Sequence, residues 1–246
     1  LLGVGQDKEK FFIFDLCSNF DFFNQEIQEV DPKPAESISA TLVKVRVTLS
    51  QVILNQDHTS GQNNSETANL ELRKSLLDNL HQHVATMEQK NFLVRKQLKK
   101  VEEFSERNRW NELSQTDIEQ IAESLAHLPS GLPKEDELAK RFDLLCLKVQ
   151  LSILKGTKDF ISLRDKLRDL LDRLEEKQTI PMVKEQLSLI EAVQDESWWS
   201  DVTLTMVESV RVRLRELVKF IDRQQQTIVY TDFQDGLGEV AEVDVP

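Results

Sequence analysis

Between residues 35 and 223, apolar side chains recur at three- and four-residue intervals, which keeps them on one side of an α-helix. Leu42, Val45, Leu49, Val52 and Ile53 predict a first helix over residues 35–54, despite β-branched residues that are poor helix formers. A polar loop over 55–66 separates it from a helix marked by Leu70, Leu77, Leu80, Val84 and Met87. Phe92, Leu98, Val101 and Phe104 follow, either continuous with that helix or broken near Asn91. Thr116 and Glu119 have capping-box spacing and predict the start of a helix through Ile121 and Leu125, ending before Pro129. Residues 138–154 are apolar almost all round (Phe142, Leu145, Cys146, Val149, Ile153), the pattern of a helix at the centre of a bundle. Phe160, Leu163, Leu167, Leu170 and Leu174 mark the next helix, and Pro181 suits the first turn of another carrying Val183, Leu187 and Ile190. Val207, Val210, Leu214, Leu217 and Ile221 predict a last amphipathic helix. No fixed-period internal repeat stands out, so a bundle is expected and not a solenoid.

The two ends read differently. Residues 10–16, with Phe11, Phe12, Ile13 and Phe14 in one run, predict a strand covered on both faces, as in a parallel sheet. Pro32 and Pro34 make 31–35 a stiff linker. Residues 227–233 return to β-type residues and lead into an acidic tail. The expected fold is therefore all-α, a multi-helix bundle with a short strand at each end. Its divisions are 1–30, the linker 31–35, a helical domain 36–226, and a strand-like tail 227–246.

Glycine and proline are few, 7 and 6 in 246 residues, and fall between the helical stretches, whose interiors exclude them. The chain opens on Leu1, which is read as a cut from a longer polypeptide. Neither a membrane-length apolar run nor a basic head before an apolar stretch occurs, so a cytoplasmic protein is expected. Cys17 and Cys146 lie far apart in apolar runs, which suits buried free thiols. A net charge of -12 argues against a surface that coats nucleic acid throughout, while leaving room for a local basic patch.

Catalytic motifs are missing from the sequence. Gly156, Thr157 and Lys158 lack the spacing of a phosphate loop. His81 and His83, two apart on a helix, cannot pinch one metal and fit a surface or groove role. Acid-x-Lys triplets at Asp31, Glu88 and Glu175 lie on a linker or on helices and lack the second acid a metal-dependent nuclease needs. No catalytic, cofactor-binding or metal-binding residue is assigned. Candidate contact residues are Arg211, Arg215, Lys219 and Arg223, four apart along one side of the last helix. Read as a solvated face, the row is supported by Glu208 and Glu216 at helical pair spacing; removing charge at Arg211, Arg215 and Arg223 is expected to leave folding nearly intact. Trp198 and Trp199 point to different faces, one to the core and the other outward or to an interface. Tyr230 and Phe233 are aromatic anchors on the tail, suited to docking by strand addition.

Four blocks resemble the C-terminal third of type I restriction endonuclease R subunits. Residues 7–23, from Asp7 to the Phe22-Phe23 pair, resemble the strand and exit after the last helicase motif of the second RecA-like motor domain. Residues 141–154, Arg-Phe-Asp-Leu-Leu-Cys-Leu-Lys-Val-Gln-Leu-Ser-Ile-Leu, resemble the family's central buried helix. Residues 180–199 resemble the next block, and 212–221 with 228–235 resemble the family's ending. The resemblance implies a parent that translocates DNA with ATP and Mg²⁺ and cleaves it remotely, bound to methyltransferase and specificity subunits. It implies for this chain a helical assembly domain that docks the motor onto that complex, with residues 1–30 the end of the motor domain and no cofactor of its own. Two alternatives stay open: a module whose basic row contacts the DNA backbone, and a freestanding helical regulator.

Overall fold

The computed structural model describes residues 36–56 and 63–221, and every regular element among them is helical. The expected strands at 10–16 and 227–233, and the RecA-like remnant, lie outside the described residues.

Helix α1, Ile38–Leu54, starts at Ser37, whose side chain accepts from the Ala40 amide. Helix α2, Asn63–Ala85, begins earlier than expected, inside the stretch read as a loop. The chain breaks at Asn91, whose side chain caps the one-turn helix α3, Phe92–Arg95, before α4, Leu98–Ser105. A 3₁₀ turn, Arg107–Trp110, leads to α5, Gln115–Gln120, which runs on as a π-helical turn, Ile121–Leu125. The capping box that opens α5 is Ser114 with Asp117, not Thr116 with Glu119. Both pairs have the right spacing, and the earlier one wins because Asp117 also receives a hydrogen bond from Arg109.

Helix α6, Glu137–Lys155, runs from the Asp136 cap to Gly156, whose φ of 60° closes the C-terminus in the left-handed conformation that glycine adopts freely. Helix α7 spans Phe160–Glu175. Pro181 opens another one-turn helix, α8, Pro181–Lys184, which breaks before α9, Leu187–Gln194. Helix α10, Glu196–Ser200, and α11, Leu204–Leu214, complete the order, with a 3₁₀ turn at Val218–Phe220. The last helix thus ends before Leu217 and Ile221.

The second half of this series repeats the first, which corrects the expectation of no internal repeat. One-turn helix, eight-residue helix, short turn and capped helix follow each other in α3 to α5 and again in α8 to α11. Val94 and Val183, Gln97 and Gln186, Leu98 and Leu187, Trp110 and Trp199, Ser114 and Thr203, and Leu125 and Leu214 are all separated by the same length of chain. The tryptophans make the same bond: Trp110 Nε1 donates to the Phe104 carbonyl and Trp199 Nε1 to the Val193 carbonyl, each at 2.7 Å. Packing is equivalent too: α1 on α2 matches α6 on α7, and α2 on α4 matches α7 on α9. In the same way, the π-helical turn on α1 matches α11 on α6.

Each half closes its own core. Val43, Val47, Leu80, Val84, Val101, Phe104, Trp110 and Ile121 are buried together in the first. Phe142, Cys146, Leu167, Leu171, Ile190, Val193, Trp199 and Val210 are their counterparts in the second. A third cluster, with Leu42, Leu49, Ile53, Leu72, Leu76, Leu147 and Leu204, joins the halves along the α1–α6 seam. Helix α6 is therefore apolar nearly all round because it faces its own half on one side and the other half on the opposite side.

Candidate functional site

The first two residues of the expected basic row do not lie on a solvated face. Helix α11 packs on α6, so Arg211 and Arg215 point at Asp143, whose side chain is 1% exposed. Arg211 Nη1 donates to Asp143 Oδ1 at 2.9 Å and Arg215 Nε to Asp143 Oδ2 at 2.9 Å. Arg211 also grips Glu208 through Nε and Nη2 at 2.9 and 2.6 Å, and Arg215 pairs with Glu135 and Glu216. Burial works against both charges, yet the hydrogen bond from Arg211 to Glu208 and that from Arg215 to Asp143 help hold these guanidiniums above their ordinary range. The expectation that their charges could be removed without harm to folding is corrected accordingly, because partly buried ion pairs are costly to break. Lys219 lies beyond α11, exposed, with its ammonium 5.5 Å from the Phe220 ring centroid. Arg223, Tyr230 and Phe233 lie outside the described residues.

Trp199 is core and Trp198 is half-buried against it, their rings edge to face with centroids 4.7 Å apart. Phe160 meets Trp199 from α7 in the same manner at 6.0 Å. Cys146 is buried on α6, and desolvation pushes its thiol well above its ordinary value, which disfavours the thiolate form. Among the described residues no group of three His, Cys, Asp or Glu side chains is placed to hold a metal. No helix among them is long and apolar enough to cross a membrane.

Two exposed apolar corners occupy the same place in the two halves. On α3, Phe92 is 70% and Leu93 50% exposed, while Val94 is buried. On α8, Pro181 is exposed and Met182 is 51% exposed, while Val183 is buried. The one-turn helix forces this: only its third residue reaches the core, so the first two stand outside it.

A cavity of about 420 Å³ lies where α1, α2 and α6 meet the connection through residues 126–135. Arg46, His83 and Lys140 face it, and sequence reasoning missed all three as a group. A signal for Arg46 was present: Leu42, Val43, Leu49 and Ser50, its neighbours at helical spacing, are all core positions, so its charge had to point inward. Burial, aided by the positive fields of Arg46 and Lys140, lowers the His83 imidazole to about 4. His81 faces elsewhere and pairs with the Ser105 carbonyl at 2.8 Å, in keeping with two histidines that do not share a ligand.

No protein-family model matches the sequence significantly, and neither does any curated protein or solved structure.

Proposed function

We propose that this chain is a non-catalytic helical docking module, and that it serves as the assembly domain of a type I restriction enzyme R subunit. The resemblance of residues 7–23, 141–154, 180–199 and 212–221 with 228–235 to that family names the complex. In this reading residues 1–30 close the second motor domain, and the partner is the methyltransferase and specificity assembly in the cytoplasm. ATP and Mg²⁺ belong to the motor upstream.

The observation that carries the docking role is the pair of repeated corners, Phe92 with Leu93 and Pro181 with Met182. Single exposed apolar residues are ordinary on any protein. An apolar corner at the same place in both halves offers a partner two equivalent surfaces. The alternative DNA-backbone role is weakened, because Arg211 and Arg215 are bonded to Asp143.

The test is to carry Phe92→Ser together with Met182→Ser in the R subunit and measure its affinity for the modification complex. Both side chains stand outside the cores, so circular dichroism should be unchanged. Affinity should drop by about tenfold or more, as for apolar anchors at an interface. Unchanged affinity would reject the corners as the docking surface.

A further inference from the structure

We propose that the cavity enclosed by α1, α2, α6 and the 126–135 connection is a binding site for a phosphate group, built around Arg46, His83 and Lys140. This role does not rest on the docking reading: the corner and the cavity share Leu93, but the donor set, Arg46, His83 and Lys140, takes no part in the corners.

The cavity gathers cationic and polar groups that lack close partners. The Arg46 side chain is only 16% exposed, and its charge partner is Asp143 at 4.0 Å. Both oxygens of that carboxylate already accept from Arg211 and Arg215. Beyond that ion pair Arg46 has no side-chain hydrogen bond among the described residues, which leaves its N–H donors available to a ligand in the cavity. Burial accordingly holds Arg46 below its ordinary value. His83 Nε2 is likewise buried with no hydrogen-bond partner. Lys140, the third cation, has a neutral acceptor: its Nζ donates to the Ser39 hydroxyl at 3.1 Å. The acid on the wall, Glu135, is taken by Arg215. In a chain of net charge -12, a concave site lined by cations runs against the overall sign.

The donor set selects the ligand. A guanidinium fork presents parallel N–H groups to two oxygens, and an ammonium and an imidazole supply further donors from other directions. Arg46 comes from α1, His83 from α2 and Lys140 from α6, so the donors converge from three elements and suit the several oxygens of a tetrahedral anion. A volume of about 420 Å³ has room for more than a bare ion and lies in the range of small-molecule sites. The wall is also fixed in place: the Gly131 amide donates to the Thr86 carbonyl at 3.1 Å, and Ser130 Oγ lies 3.0 Å from Thr86 Oγ1. Burial is the main cause that depresses His83 and the fields of Arg46 and Lys140 add to it; a bound anion offsets those fields, so the imidazole itself reports occupancy.

The experiment titrates the full chain, labelled at histidine, with inorganic phosphate at constant ionic strength and follows the His83 ring resonances by NMR. The expected result is a saturable shift toward the protonated imidazole, with Arg46→Gln weakening binding by about tenfold or more. If Arg46→Gln does not fold, Lys140→Gln provides the same comparison. Adenosine monophosphate and a short DNA duplex form two further arms. Tighter binding of the nucleotide assigns a free phosphomonoester as the source, and an equal shift by the duplex assigns a nucleic-acid backbone. A shift that rises linearly and matches that of chloride overturns the site. Binding of succinate at least as tight as that of phosphate overturns the ligand class.

Discussion

Asp143 ties three helices together through its two carboxylate oxygens, with Arg211 and Arg215 bonded to it and Arg46 at 4.0 Å. Asp143→Asn keeps the shape but leaves these guanidiniums facing a neutral amide in a buried setting. It should cost about 3 kcal/mol, as for other buried pairs broken on one side, and urea unfolding measures it. A loss under about 0.5 kcal/mol is what an exposed pair gives and would contradict the burial. His83 sets a pH dependence. Arg46 on α1 and Lys140 on α6 face it, and His127, Lys134 and Glu135 line the same cavity. Its ordinary value of 6.5 applies to the unfolded chain, and about 4 to the folded one. As pH falls through 6.5 the unfolded state takes up a proton that the folded state refuses, so stability declines down to pH 4 and then levels off. The loss should be on the order of 3 kcal/mol, and His83→Gln should flatten that part of the profile in chemical unfolding measured across the range. These inward charges were partly legible, since Arg46 and Asp143 interrupt apolar helical faces. Their pairing was not, because Asp143 and Arg211 are remote in sequence and only the packing of α11 on α6 brings them together.

At the scale of elements, the sequence pattern located the long helices well and the breaks between them poorly. Apolar spacing continues across Lys96–Gln97 and Glu185–Gln186, and nothing in periodicity says that α3 and α8 stop after one turn. The break arises because Val94 and Val183 must reach the core while the chain turns to lay α4 and α9 across α2 and α7. The connection after the π-helical turn depends on one close approach. A Cβ on Gly131 would sit 2.2 Å from the Thr86 carbonyl oxygen, which is backbone and cannot swing aside. Gly131→Ala should therefore push this connection off the end of α2 and lower stability by about 1 to 3 kcal/mol. A thermal melt reads the loss; an unchanged midpoint would show that the loop adapts freely.

For the whole molecule, the helical class of the described residues followed from apolar residues at three- and four-residue spacing, a local property of the chain that each helix expresses by itself. The central position of α6 was legible for the same reason: Phe142, Cys146 and Val149 serve one core while Leu147 serves the seam, so only a narrow charged stripe, with Arg141 and Lys148, is left exposed. The two-half organisation escaped sequence inspection. Identity between the halves is confined to scattered positions such as Val94 and Val183 or Trp110 and Trp199, and the connections before α3 and α8 differ in length. What the sequence determined by itself was where helices form and which faces are apolar, because those depend on neighbours within a turn or two. What only tertiary structure decided was which faces meet: the halves across the α1–α6 seam, Arg211 and Arg215 turned inward onto Asp143, and Arg46, His83 and Lys140 gathered at one cavity. Those outcomes depend on contacts between residues far apart in the chain, and a charge at a given helical position reads the same in the sequence whether water or a buried carboxylate faces it.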